Sequence, residues 1–444
     1  MPFSFLRIKR SLIFSCVLLS LFLYGCEESE IAENVQELST AKPLSIFILS
    51  PLNDDVKLQR DRVAFEANIS DDELGDNTIT WTSNLDGIIG ATPRFQSNSL
   101  SAGMHTITAT LTNKAGQEAA HSIILNVKKF TYAAYYKEHF ELNPRISNDS
   151  IDINDVNRIL KTTKNFDRKN LSGLDLSGMR LVGVSMVDAF MVHCNFSDAQ
   201  FQNVNLTNAI IEHANMANVK FGKVNLSGVD FSRVNLSGVD FGKMYLRGFK
   251  MVNADLSGCN FSQTDLSYAD LSQAVLKDAN LKRTTLIKTN LTDADMTGAK
   301  IDGAKLLSTK LTHANLTDAS IRNVTIADCD VRGVNLSSAA LNNVNMNNTD
   351  LTGSLMASLN FQRVLLYGSN FTGCDLSGAD LSRLNLVDCN FTNANLKWTN
   401  FSGAILKRAN FRNADLNGAT LTNANLESAI NLESAKNVDS VIGF

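Results

Sequence analysis

The chain has 444 residues, with 41 Lys plus Arg against 45 Asp plus Glu and a formal net charge of −4. A balance this close to neutral excludes a strong field steering the protein toward nucleic acid or an acidic surface. Seven cysteines would suggest disulfides in an exported chain, and their positions, taken up below, argue otherwise.

Arg7, Lys9 and Arg10 precede an apolar stretch over residues 11–24, too short to span a membrane comfortably. This is the layout of a bacterial secretory signal. It ends in Leu23-Tyr24-Gly25-Cys26, which resembles the lipobox of bacterial lipoproteins. The resemblance implies cleavage ahead of Cys26, a lipid on that cysteine, and a membrane contact through the lipidated N-terminus; an uncleaved anchor is the alternative. Either way the rest of the chain lies outside the cytoplasm. Glu27 after the cysteine favours an outer membrane if the source has two. Residues 26–42 are polar and bury no core, so they read as a flexible tether.

Residues 43–128 carry an all-β pattern. Ile46 and Ile48, then Val63, Phe65, Ala67 and Ile69, then Ile79 and Trp81 alternate at period two. Asp86-Gly87 and Ala115-Gly116 are turn signals. A small β-sandwich centred on Trp81 fits this spacing. The run from Thr80-Trp81-Thr82-Ser83 to Leu100-Ser101-Ala102-Gly103-Met104 resembles bacterial immunoglobulin-like and PKD-type modules, which implies a spacer or adhesive role.

Residues 129–165 break the β pattern and read as a helical linker and N-terminal cap. Short helices are expected over 132–140 and 155–160, the second started by Asp152 with Asp155 three residues on. Asn148, Asp149, Asp152 and Asp155 also suggest half of a calcium loop. Its first ligand positions would fall on Pro144 and Ile146, which offer no side-chain oxygen, so capping is preferred.

From Leu171 to Leu426 every fifth residue is Leu, Phe, Met, Ile or Val, over 52 consecutive positions without an insertion. Two residues earlier stands Ala, Cys, Ser, Thr or Val in 45 of the 52 cases, and the residue between is usually Asn or Asp, as in Ala254-Asp255-Leu256. A period of five fits neither a helix nor a flat strand. It is satisfied if the chain turns a corner every five residues and always sends one apolar group inward, with a small neighbour because the interior is narrow. Phenylalanine at these positions falls at 196, 201, 221, 231, 241, 261, 361, 371, 391, 401 and 411. All but Phe196 alternate with the other parity, which requires an even number of sides. The motif matches the A-(D/N)-L-x-x consensus of pentapeptide-repeat proteins. That resemblance implies a right-handed, four-sided β-helix with twenty residues per coil over residues 166–430, capped by 431–444. Thirteen coils at a strand spacing of ~4.8 Å give a rod roughly 60 Å long.

Cys194, Cys259, Cys329, Cys374 and Cys389 all take the small inward position and no two are twenty residues apart, so five buried thiols are expected. Outside the core, three features stand out. His193 and His213 should stack on adjacent coils with Glu212 beside them, a candidate metal or pH site. Lys223, Lys243, Arg283, Arg363 and Arg383 share one outward corner, a candidate stripe for an acidic polymer or lipid headgroup. Phe190 and Ile210 form a candidate outward apolar contact.

No catalytic triad, zinc spacing or phosphate loop is visible, and no cofactor is expected. Pentapeptide-repeat relatives that mimic DNA and bind topoisomerases need an acidic surface in the cytoplasm. Residues 166–426 carry 22 Asp plus Glu against 24 Lys plus Arg, and the export signal points elsewhere. The expected function is a non-catalytic envelope lipoprotein, a rigid scaffold or binding rod. Its partners would be an envelope protein or anionic polymer, or a second copy joined through a β-helix end, but not nucleic acid.

Overall fold

The computed structural model describes residues 44–58, 63–69, 78–97, 100–113, 115–128, 150–326 and 328–443. The secretory pattern, Cys26, the tether and the helix expected over 132–140 lie outside the described residues. The chain divides into two compact units, residues 1–135 and 136–444.

In the first unit the period-two runs form eight strands: β1 (Ile46–Ser50), β2 (Asp55–Leu58), β3 (Val63–Ile69), β4 (Thr78–Ser83), β5 (Gly87–Gly90), β6 (Arg94–Ser97), β7 (Gly103–Thr112) and β8 (Glu118–Lys128). They make a three-stranded sheet in the order β1-β3-β6 and a five-stranded sheet in the order β2-β8-β7-β4-β5. Alternate residues of both sheets meet in one core, with Ile46, Val63 and Phe65 from one and Ile107, Leu111 and Leu125 from the other. Trp81 is fully enclosed there. Its indole N–H donates to the Thr92 carbonyl at 2.9 Å, the partner a buried indole needs. Gly87 has φ of +72° and Gly116 +76°, as the two turn signals require.

The described part of the second unit begins with helix α1 (Ile153–Lys161), held by a capping box in which Asp152 accepts from the Asp155 amide and the Asp155 carboxylate accepts from the Asp152 amide. Val156 and Ile159 of α1 join the rod's core, so the helix closes one end of it. The four aspartate and asparagine residues considered for a calcium loop are thereby divided: Asp152 and Asp155 serve the cap, and Asn148 and Asp149 lie outside the described residues.

Beyond α1 the chain winds with a period of twenty. On one side, parallel bridges run without a break through Asp175, Asn195, Asn215, Asn235, Asp255, Val275, Asp295, Asn315, Asn335, Leu355, Asp375, Asn395 and Asp415 to Lys436. Phenylalanines twenty apart stack, with Phe241 and Phe261 centroids 5.0 Å apart and Phe371 and Phe391 5.2 Å apart. Facing columns meet edge to face across the interior, as Phe391 meets Phe401 at 80°. Each buried ring is worth roughly 1.5–3 kcal/mol before entropy, and the column repeats that gain every coil.

The tail, expected as the C-terminal cap over 431–444, continues the winding. Lys436 still bridges Asp415, and Ile442 bridges Thr420, although the period has grown from twenty to twenty-one and then twenty-two. Two short 3₁₀ turns, Leu432–Ser434 and Val438–Ser440, absorb the additional residues, each preceded by an asparagine in the left-handed region. Leu432, Ala435, Val438 and Val441 pack partly buried against the core. The tail is a widened last coil.

Candidate interaction face

Residues twenty apart lie on one line down the rod, so each of its four sides is a stack. The mid-side residue before each inward apolar group is usually Asn or Asp, and its side chain does two jobs. Its Oδ1 accepts from the amide two residues on, as Asn195 accepts from Ser197 at 3.2 Å and Asn260 from Ser262 at 3.1 Å. That is an Asx turn, which the corner needs. Its Nδ2 donates to the same atom one coil away: Asn215 to Asn195 at 3.0 Å and Asn235 to Asn215 at 2.9 Å on one side. Asn260 to Asp240 at 2.8 Å and Asn280 to Asn260 at 2.9 Å repeat it on a second, and Asn290 to Asp270 at 2.9 Å on a third.

The fourth side lacks the ladder. Its mid-side column mixes Asn205, Asn225, Asp265, Asn345, Asn385 and Asn425 with Tyr245, Thr285, Lys305, Thr325, Leu365 and Ile405. Among the described residues the ladder bond is absent there, Asn225 donating instead to the Thr207 hydroxyl at 3.0 Å. Tyr245 is 70% exposed and Leu365 55%. Leu307 and Tyr367, two residues beyond that column, are also exposed. Arg247 lies 4.2 Å over the ring of Tyr268 with Lys288 5.6 Å away, a cation–π arrangement at the far corner. The acidic groups toward that corner are largely engaged. Asp388 takes two bonds from Arg408, at 2.6 and 2.7 Å, and one from the Tyr367 hydroxyl at 3.0 Å. The Arg408 guanidinium, with the Tyr367 hydroxyl adding to it, holds the Asp388 carboxyl below the usual carboxylate range. Glu427 pairs with Lys407 at 2.5 Å.

The near corner of this same side is the basic stripe read from the sequence. Lys223, Lys243, Arg283, Arg363 and Arg383 are all exposed, and among the described residues none of them enters an ion pair. Lys243, Arg283, Arg363 and Arg383 have φ between +56° and +66°, a region that favours Gly and Asn. Gly303 and Gly403 follow Arg283 and Arg383 in the column, and a Cβ at either would sit 3.6 or 3.5 Å from the arginine Cγ below. The arginine stems therefore lie along the rod.

The other sequence-marked residues behave differently. His193 and His213 stack as expected, centroids 4.9 Å apart and planes 6° apart. Parallel rings send their in-plane lone pairs along parallel planes, so the two nitrogens do not converge on one point as a shared ion requires. No group of three or more metal-capable side chains exists among the described residues. Glu212 serves Arg233 as well as His213. Phe190 corrects the expectation of an outward apolar contact: it is only 3% exposed, bridges Ile210, and lies near the fully enclosed Val192. Cys194, Cys259, Cys374 and Cys389 are buried free thiols, while Cys329 is half-buried.

One constellation was invisible in the sequence. Pairing of β4 with β7 brings Ser83, Asp86 and His105 together: the Ser83 hydroxyl lies 2.8 Å from His105 Nδ1, and His105 Nε2 lies 2.8 Å from the Ser101 carbonyl. A carbonyl only accepts, so Nε2 carries the proton and Nδ1 accepts from Ser83. Asp86 is bound by the Ser101 amide and hydroxyl at 3.0 and 2.6 Å. His105 is fully enclosed and Ser83 Oγ also takes two backbone amides. The network pins the β4–β5 turn and leaves no route to a substrate.

Family models for pentapeptide repeats match this chain: one described as a pentapeptide repeat region over 214–291, 348–421 and 366–436, and one as pentapeptide repeats (8 copies) over 279–318, 308–337 and 319–356. Together they run from 214 to 436, half of the chain. The protein belongs to the pentapeptide-repeat family. Among solved structures it is similar to HetL, a pentapeptide-repeat protein involved in heterocyst differentiation regulation in the cyanobacterium Nostoc, with 21% identity, 64% of this chain and 94% of that one covered, and a TM-score of 0.16. QnrB1, a plasmid-mediated fluoroquinolone resistance protein, gives 18% identity, 45% and 92% coverage, and a TM-score of 0.24. A pentapeptide-repeat protein of the Arabidopsis thaliana thylakoid lumen gives 23% identity, 34% and 68% coverage, and a TM-score of 0.12. A search of curated protein sequences finds no match.

Proposed function

We propose that this pentapeptide-repeat protein is a non-catalytic envelope lipoprotein: a rigid rod held at a membrane through a lipid on Cys26 and serving as a scaffold or binding surface. The observation that carries the binding role is the fourth side, where exposed Tyr245, Leu365 and Ile405 interrupt the asparagine column beside an exposed basic corner. The repeat fills its interior with its own side chains, so what it offers a partner lies outside. Where a sequence abandons the residue its own fold prefers, a demand other than folding is the natural cause. The secretory pattern and the lipobox-like Leu23-Tyr24-Gly25-Cys26 support the envelope setting. No helix among the described residues is long and apolar enough to cross a membrane. A DNA-mimicking role lacks support in the charge of the rod, 22 acidic against 24 basic residues over 166–426.

Fatty-acid labelling and envelope fractionation of the wild type and Cys26→Ser test the reading. The label and membrane association should both be lost in the variant. An unlabelled protein recovered from the cytoplasm would overturn it.

A further inference from the structure

We propose that the Tyr245 side and its Lys243-to-Arg383 corner bind a linear acidic polysaccharide laid along the rod. This rests on the binding-rod reading and names the class of partner.

Four observations carry it. Cations at Lys243, Arg283, Arg363 and Arg383 are aligned on one corner, exposed, and without acidic partners among the described residues. Arg363 and Arg383, one coil or ~4.8 Å apart, repel one another, and an extended polyanion over the corner relieves that repulsion while releasing its own counterions. Backbone geometry there favours the asparagine found in the same column at Asn323, Asn343 and Asn423, so Lys and Arg stand where folding alone prefers another residue. The array is also linear: residues 243 to 383 span seven coils, or ~34 Å, which suits a chain-like ligand.

The middle of the side selects among polyanions. Tyr245 presents a ring 70% exposed, and Tyr367 a second six coils on. Such rings are platforms for the C–H faces of sugar rings, spaced as stations along a polymer. A bilayer would need continuous apolar penetration instead. Here Leu307 is separated from Leu365 and Tyr367 by Thr325, Asn345 and Asn347, and Ile405 from Leu365 by Asn385, whose polar groups would have to be stripped of water.

The full-length protein can be run by affinity electrophoresis through gels holding polygalacturonate or neutral dextran, and mixed with phosphatidylglycerol vesicles. Four proteins are compared: wild type, Arg363→Asn/Arg383→Asn, Tyr245→Ser, and Arg412→Gln on another side of the rod. Asparagine suits the left-handed corner, and melting curves confirm that each variant folds. The wild type should be retarded by polygalacturonate and not by dextran. The double variant should bind about tenfold more weakly and show a shallower dependence on salt. Tyr245→Ser should weaken binding severalfold at unchanged salt dependence, and Arg412→Gln should match the wild type. Equal retardation of the double variant overturns the proposal, as does vesicle binding without polygalacturonate retention. Either failure, with Cys26-dependent fractionation intact, leaves the scaffold reading standing without this partner. A cytoplasmic protein that still binds polygalacturonate removes the envelope reading and keeps the face.

Discussion

The hydroxyl of Thr284, fully enclosed, donates to the carbonyl oxygen of Phe261 at 2.7 Å, twenty-three residues back and one coil away. Thr264, Thr289, Thr309, Thr399 and Ser369 repeat the bond, and Cys194 and Cys374 make it through sulfur. The small inward position is therefore also a place for a buried donor tying coil to coil. The Phe261 carbonyl keeps the Thr264 amide when Thr284 is changed. Thr284→Val should thus cost only about 1 kcal/mol, read as a lowered denaturation midpoint. A loss several times larger would mean that the valine does not fit.

Phe391 sits between Phe371 and Phe411, at 5.2 and 5.4 Å, with Phe401 edge-on. Phe391→Ala opens a cavity that the neighbouring coils cannot close, because each is fixed by its own bridges. The expected loss is about 3–5 kcal/mol. Because a stacked rod need not unfold as one unit, hydrogen exchange across residues 371–411 is the sharper check. Protection should fall there first.

Burial pushes the Cys194, Cys259, Cys374 and Cys389 thiols up to about 12, and the half-buried Cys329 to about 11. A thiol reacts as thiolate, so the four should resist maleimide in the native protein at neutral pH. Cys329 should label first, and all five should label in denaturant. Peptide mapping by mass spectrometry gives the order, and early modification of Cys194 would contradict it.

Arg332 forks onto Asp330 at 2.8 and 2.7 Å, and this bond lowers the carboxyl to about 2. The folded pKa lies below the unfolded one. The pair's contribution is therefore complete above an unfolded value near ~3.9 and fades as pH falls toward ~2. The pair is partly exposed, so its worth is under about 1 kcal/mol. Asp330→Asn should lower the melting temperature slightly at pH 6 and not at pH 2. An equal drop at both would assign the effect to packing.

The repeat was legible because every inward residue answers to the same local demand, and a demand met every five residues leaves a pattern in one dimension. The stripe from Lys243 to Arg383 was legible for the same reason once the period was known. What stayed hidden depends on contacts that the period does not encode. Phe190 stands at a position that the period marks as outward, yet it is buried. The Ser83–His105 bond exists because β4 lies beside β7, which joins partners 22 positions apart in the chain. The Tyr245 side is not singled out by its loss of asparagine, since the column from 180 to 420 loses as many; the exposure of Tyr245, Leu365 and Ile405 is what marks it. Asn431 marks the loss of period, but only geometry shows the chain still winding, through Lys436 beside Asp415.

A coil of fixed length turns residue number into compass bearing: the side of the rod on which a residue appears is its position modulo twenty. Removing a single pentapeptide near Asn323 should leave a well-folded rod, since each repeat satisfies itself, yet swing everything beyond it by a quarter turn. Arg363 and Arg383 would then point ninety degrees away from Lys243 and Arg283. Removing twenty residues would restore the bearing in a shorter rod. The protein can therefore change length freely only in whole coils, and any surface that spans several coils is written in that unit.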